Sequence, residues 1–110
     1  MKPTFAFVVA MTAAVLAPAP AAASAKPNAH TVIVVVDKLA FGAVPSDLRV
    51  GDTLIWNNRG LFRHSATAKG HFDVDLPPGA RRRMILTKAG AFPFICKFHP
   101  GMKGVLKVRP

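Results

Sequence analysis

From residue 30 onward the apolar runs are short, most of them bounded by glycine, proline, asparagine or charged residues, and no stretch holds a 3.6-residue apolar period. Such punctuation predicts short strands joined by turns. Residues 30–36 (HTVIVVV) are almost all β-branched. Residues 47–50 (DLRV) alternate polar and apolar, Gly51-Asp52 turns the chain, and residues 53–56 (TLIW) run on to Asn57-Asn58. Residues 63–68 form a further short strand before Gly70 interrupts, and Pro77-Pro78-Gly79 is a strong turn. Residues 81–87 then place Met84 and Leu86 on one face at period two. After Ala89-Gly90, residues 91–96 run extended, and residues 104–108 close the pattern. Six to eight short strands spaced about ten residues apart indicate an all-β, small antiparallel sandwich or barrel. Leu48, Val50, Leu54, Trp56, Met84, Leu86, Phe92, Phe94, Leu106 and Val108 are its expected core.

The segment before this pattern is of a different kind. Lys2 gives a positive start, residues 5–16 are uncharged and almost wholly apolar, and Ala23-Ser24-Ala25 has the small-x-small form that precedes signal-peptide cleavage. The apolar run is shorter than the roughly 20 residues a membrane span needs. Residues 1–25 are therefore expected to be a cleavable signal peptide and residues 26–110 the mature domain, exported to a bacterial periplasm without stable membrane insertion. About 85 residues make one domain, near the lower size at which a single core suffices. One cysteine cannot form the internal disulfide that such small exported domains often use. A bound metal offers the fold the same kind of support.

The chain carries 15 basic and 5 acidic residues, a formal net charge of +10, and all five acids are aspartates. This surface favours acidic partners and speeds encounter with them. Export makes nucleic acid the least suitable of these.

Cys96, the only cysteine, is followed by His99 and Met102 in the stretch FICKFHPGMKG. The spacing admits a nucleophile with a helper or a set of metal ligands. Copper sites that pass single electrons combine one thiolate, two imidazoles and a weak, distant thioether. Cys96, His99 and Met102 offer three of these four within seven residues, provided the chain between them folds as a tight loop. Pro100-Gly101 supplies a turn where it must bend back. The fourth ligand must come from elsewhere. His64, shortly after the strand ending at Asn57, is favoured over His71, which lies past Gly70 and beside Phe72. His30, at the start of a strand, is expected to be exposed.

These residues carry a resemblance. CKFHPGMKGVLKV is similar to the C-terminal copper loop of cupredoxins, the blue-copper proteins of amicyanin and plastocyanin type, in the short form found in amicyanin-like members. FGAVPSDLRVGDTLIWNN resembles their earlier strand pair, RHSATA their upstream histidine segment, and LPPGARRRMILTKAGAFPFIC the strands leading to the cysteine, all in the same order. The resemblance implies a Greek-key β-sandwich binding one copper ion through His64, Cys96 and His99, with Met102 axial. It implies electron transfer by Cu(II)/Cu(I) cycling between periplasmic redox partners, by a monomer that is not an enzyme. Three positions depart from the family pattern. Ser65 stands where an asparagine usually ties the two ligand loops, so that tie is expected to be weaker or different. Phe94 replaces a common tyrosine, and Arg82 falls where an inward aromatic is common.

Leu61, Phe62, Phe98 and Pro100 flank the ligands and are candidates for an apolar collar around His99. Arg81, Arg82 and Arg83, with Lys97 and Lys103 nearer the site, are candidates for steering acidic partners. The same ligand set also serves copper delivery or sequestration, the leading alternative. An enzymatic Cys96–His99 pair is disfavoured because no oxyanion hole or third orienting residue is visible.

Overall fold

The computed structural model describes residues 29–110 together with residues 2–4, 6, 10 and 12–14. Most of the expected leader, and its cleavage pattern at residues 23–25, lie outside the described residues. Among the described residues no helix is long and apolar enough to cross a membrane.

Nine strands are described: β1 (Thr31–Asp37), β2 (Ala40–Phe41), β3 (Leu48–Arg49), β4 (Thr53–Asn58), β5 (His64–Ala68), β6 (Phe72–Leu76), β7 (Arg81–Ile85), β8 (Gly90–Ile95) and β9 (Lys103–Arg109). They form a four-stranded sheet in the order β2-β1-β4-β7 and a five-stranded sheet in the order β3-β9-β8-β5-β6. The expected sandwich is present, with one refinement to its antiparallel character. The pairs joined by consecutive turns, such as β5–β6 and β8–β9, are antiparallel, whereas β1–β4 and β3–β9 are parallel. Turn spacing reports only on neighbours in sequence. It carries no information on strands that meet after the chain has crossed from one sheet to the other.

Two strands were not expected. β2 is only two residues long. β6 alternates cleanly, with Phe72 and Val74 half-buried, Leu76 buried, and Asp73 and Asp75 exposed. Its two aspartates, poor strand formers, mask the pattern.

The core lies between the sheets because the strands alternate. On β4, Leu54, Trp56 and Asn58 point inward and are fully buried. Trp56 packs edge-on against Phe94 and Phe41 at centroid distances of 5.1 and 5.9 Å. Of the expected core, Val50, Met84 and Phe92 are only partly buried, while Val34, Val36, Leu76, Cys96 and Met102 join it. Gly104 faces Phe94 across the β8–β9 ladder. A Cβ there would lie 2.5 Å from Phe94 Cζ, so the ring occupies the space a side chain would need.

Arg82 stands opposite Trp56 and so belongs to the inward face. Because β7 is a sheet edge, its side chain leaves the sandwich there, staying exposed with Nη1 donating to the Arg81 carbonyl at 3.3 Å. An arginine is tolerated at this aromatic position because the edge opens to water.

Asp52 is buried at 3 % exposure. Its Oδ1 accepts the His30 N–H and its Oδ2 the Arg49 N–H, each at 2.9 Å, tying the start of β1 to the β3–β4 turn. Burial pushes its pKa up, but the two amide hydrogen bonds and the nearby His30 and Arg49 charges outweigh this and hold it below the ordinary value. A depressed carboxyl pKa stabilises the fold above the unfolded value of about 3.9 and loses that contribution as pH falls through the folded pKa. The urea midpoint is therefore expected to fall as pH drops below about 4. Asp52→Asn should be less stable at neutral pH and show a shallower acid slope; equal slopes would contradict this role.

Candidate metal centre

The three residues of the C-terminal stretch are drawn together by backbone hydrogen bonds between them. The His99 N–H donates to the Cys96 carbonyl at 3.3 Å, the Met102 N–H to the His99 carbonyl at 2.8 Å, and the Cys96 N–H to the Met102 carbonyl at 3.0 Å. Each interval of three is thus one four-residue turn, and the two turns close into a ring between β8 and β9. This is the physical content of the C-x-x-H-x-x-M spacing. Pro100, second residue of the second turn, brings the fixed φ that this position favours.

His64 opens β5, at the same end of the sandwich. Its Nδ1 lies 3.7 Å from Cys96 Sγ, and His99 Nδ1 lies 3.7 Å from the same sulfur. The ligand atoms of His64, Cys96 and His99 all fall within 4.8 Å of one another, and the two imidazole centroids are 5.0 Å apart. Donors about 2.0–2.3 Å from a central ion, arranged trigonally, stand roughly 3.5–4 Å apart, so these sulfur–nitrogen separations fit a shared metal. Cys96 and His64 are fully buried, Met102 is 4 % exposed and His99 is half-buried. Burial, and secondly the His99 charge, push the His64 pKa down and favour the neutral imidazole that metals bind. Its Nε2 is buried without a hydrogen-bond partner among the described residues.

His71 and His30 are not part of this group. His71 is exposed, its ring 4.9 Å from that of Phe92, and His30 is also exposed. The collar residues lie in solvent: Leu61 is 89 % exposed, Phe62 58 % and Phe98 45 %. The Phe62 ring meets His99 edge-on at 6.2 Å, and Arg63 sits over the Phe98 ring at 4.8 Å. Arg81, Arg82, Arg83 and Lys103 are all exposed.

Of the expected weaker or different loop tie at Ser65, the structure shows a different one. The Ser65 N–H donates to Cys96 Sγ at 3.4 Å, and its Oγ accepts the Lys97 N–H at 2.9 Å. The shorter serine reaches the cysteine loop because β5 and β8 pair directly at Thr67 and Ile95, bringing the two backbones close. Ser65 Oγ also meets Thr67 Oγ1 at 2.9 Å. Thr67 Oγ1 in turn donates to Asp73 Oδ1 at 2.9 Å, and Asp73 Oδ2 accepts from Lys97 Nζ at 2.9 Å.

Asn58 is a site residue that sequence reasoning treats only as a strand end. Fully buried, its Nδ2 donates to the carbonyls of Phe62 and Leu76 at 2.8 Å and Pro77 at 3.2 Å, and its Oδ1 accepts the Gly60 N–H at 2.9 Å. It thereby shapes the loop that delivers His64. The inward register of Leu54 and Trp56, continued two residues, was the available signal.

No family model matches the sequence, and no curated protein matches it. Solved structures do match. A reduced amicyanin variant superposes with a TM-score of 0.62 at 24 % identity, covering 72 % of this chain and 82 % of that one. Amicyanin from Paracoccus versutus gives 0.62 at 22 % identity, covering 72 % and 81 %. The Cu(I) form of another amicyanin variant gives 0.61 at 24 % identity, covering 72 % and 82 %. The chain has the fold of amicyanin, a cupredoxin-like β-sandwich.

Proposed function

We propose that His64, Cys96, His99 and Met102 hold one copper ion and that the protein is an exported carrier of single electrons between periplasmic redox partners. The observation that carries this reading is the pair of 3.7 Å separations placing both imidazole Nδ1 atoms around one buried thiol on an amicyanin-like frame. The donor set, soft sulfur with imidazole nitrogen, suits copper in either oxidation state. Copper bound there supplies a one-electron Cu(II)/Cu(I) couple.

The chain's own residues do the rest. The backbone ring of the Cys96–His99–Met102 loop, flanked by β8 and β9, holds three donors in place whichever oxidation state is bound. The Ser65 N–H points at Cys96 Sγ and stabilises negative charge on it. His99, half-buried beside the exposed Phe62, presents the imidazole edge by which electrons leave. Phe62 packs beside that edge, and the exposed Leu61 and Phe98 sit next to the ligand-bearing residues in sequence, so this end of the molecule offers a partner apolar surface near the imidazole. The basic excess favours partners with acidic docking faces.

Copper delivery uses the same ligands but requires the ion to leave. The copper-loaded protein is expected to give a reversible one-electron wave in voltammetry and fast electron self-exchange by NMR line broadening. Slow self-exchange with rapid loss of Cu(I) to the chelator bathocuproine disulfonate would instead favour delivery.

A further inference from the structure

We infer that Thr67 and Asp73, outside the ligand set, are positioning residues that act through Ser65 to set the electron density on Cys96. The inference rests on the copper reading above. Its basis is a closed chain of 2.9 Å hydrogen bonds from the Lys97 N–H to Ser65 Oγ, Thr67 Oγ1 and Asp73 Oδ1, returning from Asp73 Oδ2 to the Lys97 ammonium.

The proton order in this chain is fixed by chemistry. An ionised carboxylate only accepts, so the single Thr67 hydroxyl proton points at Asp73. Thr67 Oγ1 is then left to accept, and Ser65 must donate to it. Ser65 Oγ, its own proton spent, accepts from the Lys97 N–H. The Asp73 carboxyl is kept ionised by the Lys97 hydrogen bond and then by Thr67, which hold its pKa below the ordinary range. The three bonds from the Lys97 N–H through Ser65 and Thr67 to Asp73 Oδ1 point one way and strengthen one another, while the Lys97 ammonium meets the carboxylate from its other oxygen.

The chain passes from water into the core. Asp73 and Lys97 are about half exposed, Thr67 is half-buried, and Ser65 is fully buried. An exposed ion pair contributes little by itself. Its effect is to orient Thr67, whose oxygen is the acceptor the structure gives the buried Ser65 hydroxyl. Ser65 holds both ends of the metal centre: its Oγ fixes the residue following Cys96, and its N–H meets the sulfur. If the hydroxyl loses its acceptor, it competes for new partners and the N–H···S contact loosens. The reduced centre carries one more negative charge than the oxidised one, so weakening this contact disfavours Cu(I).

Thr67→Val removes the hydroxyl while keeping shape and strand preference, and Thr67→Ser retains it. In the metal-free protein, Lys97 amide hydrogen exchange is expected to accelerate about tenfold or more in Thr67→Val and to stay near the parental rate in Thr67→Ser. In the copper-loaded protein, Thr67→Val should shift the thiolate-to-copper absorption band. It should also lower the potential by a three- to tenfold change in the Cu(II)/Cu(I) affinity ratio, tenfold being about 59 mV for one electron. Thr67→Ser should match the parent in both. An unshifted potential and parental Lys97 exchange in Thr67→Val overturn the inference alone, as does a Thr67→Ser variant as altered as Thr67→Val. A parent without the absorption band contradicts the copper reading itself, and the inference falls with it.

Discussion

Cys96→Ser is expected to lower Cu(I) affinity at least about 100-fold, by analogy with one ligand's share of the roughly 10–16 kcal/mol that four-ligand structural zinc sites supply. The sulfur is the donor both imidazoles face, at 3.7 Å each, and the only strongly soft ligand of the set. A serine hydroxyl does not replace it, because it stays protonated at neutral pH and is a poor ligand for a soft ion. The fold should survive. The substitution is nearly isosteric, and the cost of placing a hydroxyl in this fully buried spot is about 1–3 kcal/mol. Competition with a Cu(I) chelator measures the affinity, and urea unfolding of the metal-free variant separates loss of the site from loss of the fold. An unchanged Cu(I) affinity would remove Cys96 from the centre.

The second large effect concerns Asn58→Ala, with an expected loss of about 3 kcal/mol, from the two amide protons and one accepted bond at roughly 1 kcal/mol each. The carbonyls of Phe62, Leu76 and Pro77 and the Gly60 N–H lose their common partner at once. All four groups lie in or beside the loops that precede β5 and follow β6, so the damage should reach His64. Urea unfolding of the metal-free protein reads the stability. A copper titration of the still-folded fraction should show weakened binding. A loss below about 0.5 kcal/mol, within the range of an ordinary surface change, would show that the amide does not organise this loop.

How far the sequence reaches is seen at particular residues. The sandwich, most inward positions and the Cys96–His99–Met102 loop follow from period-two alternation and ligand spacing, because strand and turn geometry are local. His64, 32 residues before Cys96, is reached only by its place after the strand ending at Asn57 and by the cupredoxin resemblance. The strand β6 does not follow, because Asp73 and Asp75 on its solvent face lower its apparent strand preference. The parallel pairs β1–β4 and β3–β9 do not follow, because they depend on where the chain crosses between sheets. Ser65 shows the same limit at the site. Read by residue type it is a shortened asparagine, which predicts a weaker or different tie without saying which. The approach of β5 to β8 at Thr67 and Ile95 brings the serine hydroxyl to the Lys97 N–H, and that distance is a tertiary quantity. Arg82 is explained by its place on an edge strand, which composition does not reveal.

The central claim is that one thiolate and two imidazoles bind the same copper ion. The visible absorption spectrum of the protein loaded with one equivalent of Cu(II) tests it most directly. An intense blue or green charge-transfer band from the Cys96 thiolate is the predicted result. Stoichiometric Cu(II) binding with only the weak colour of nitrogen- and oxygen-ligated copper would contradict it.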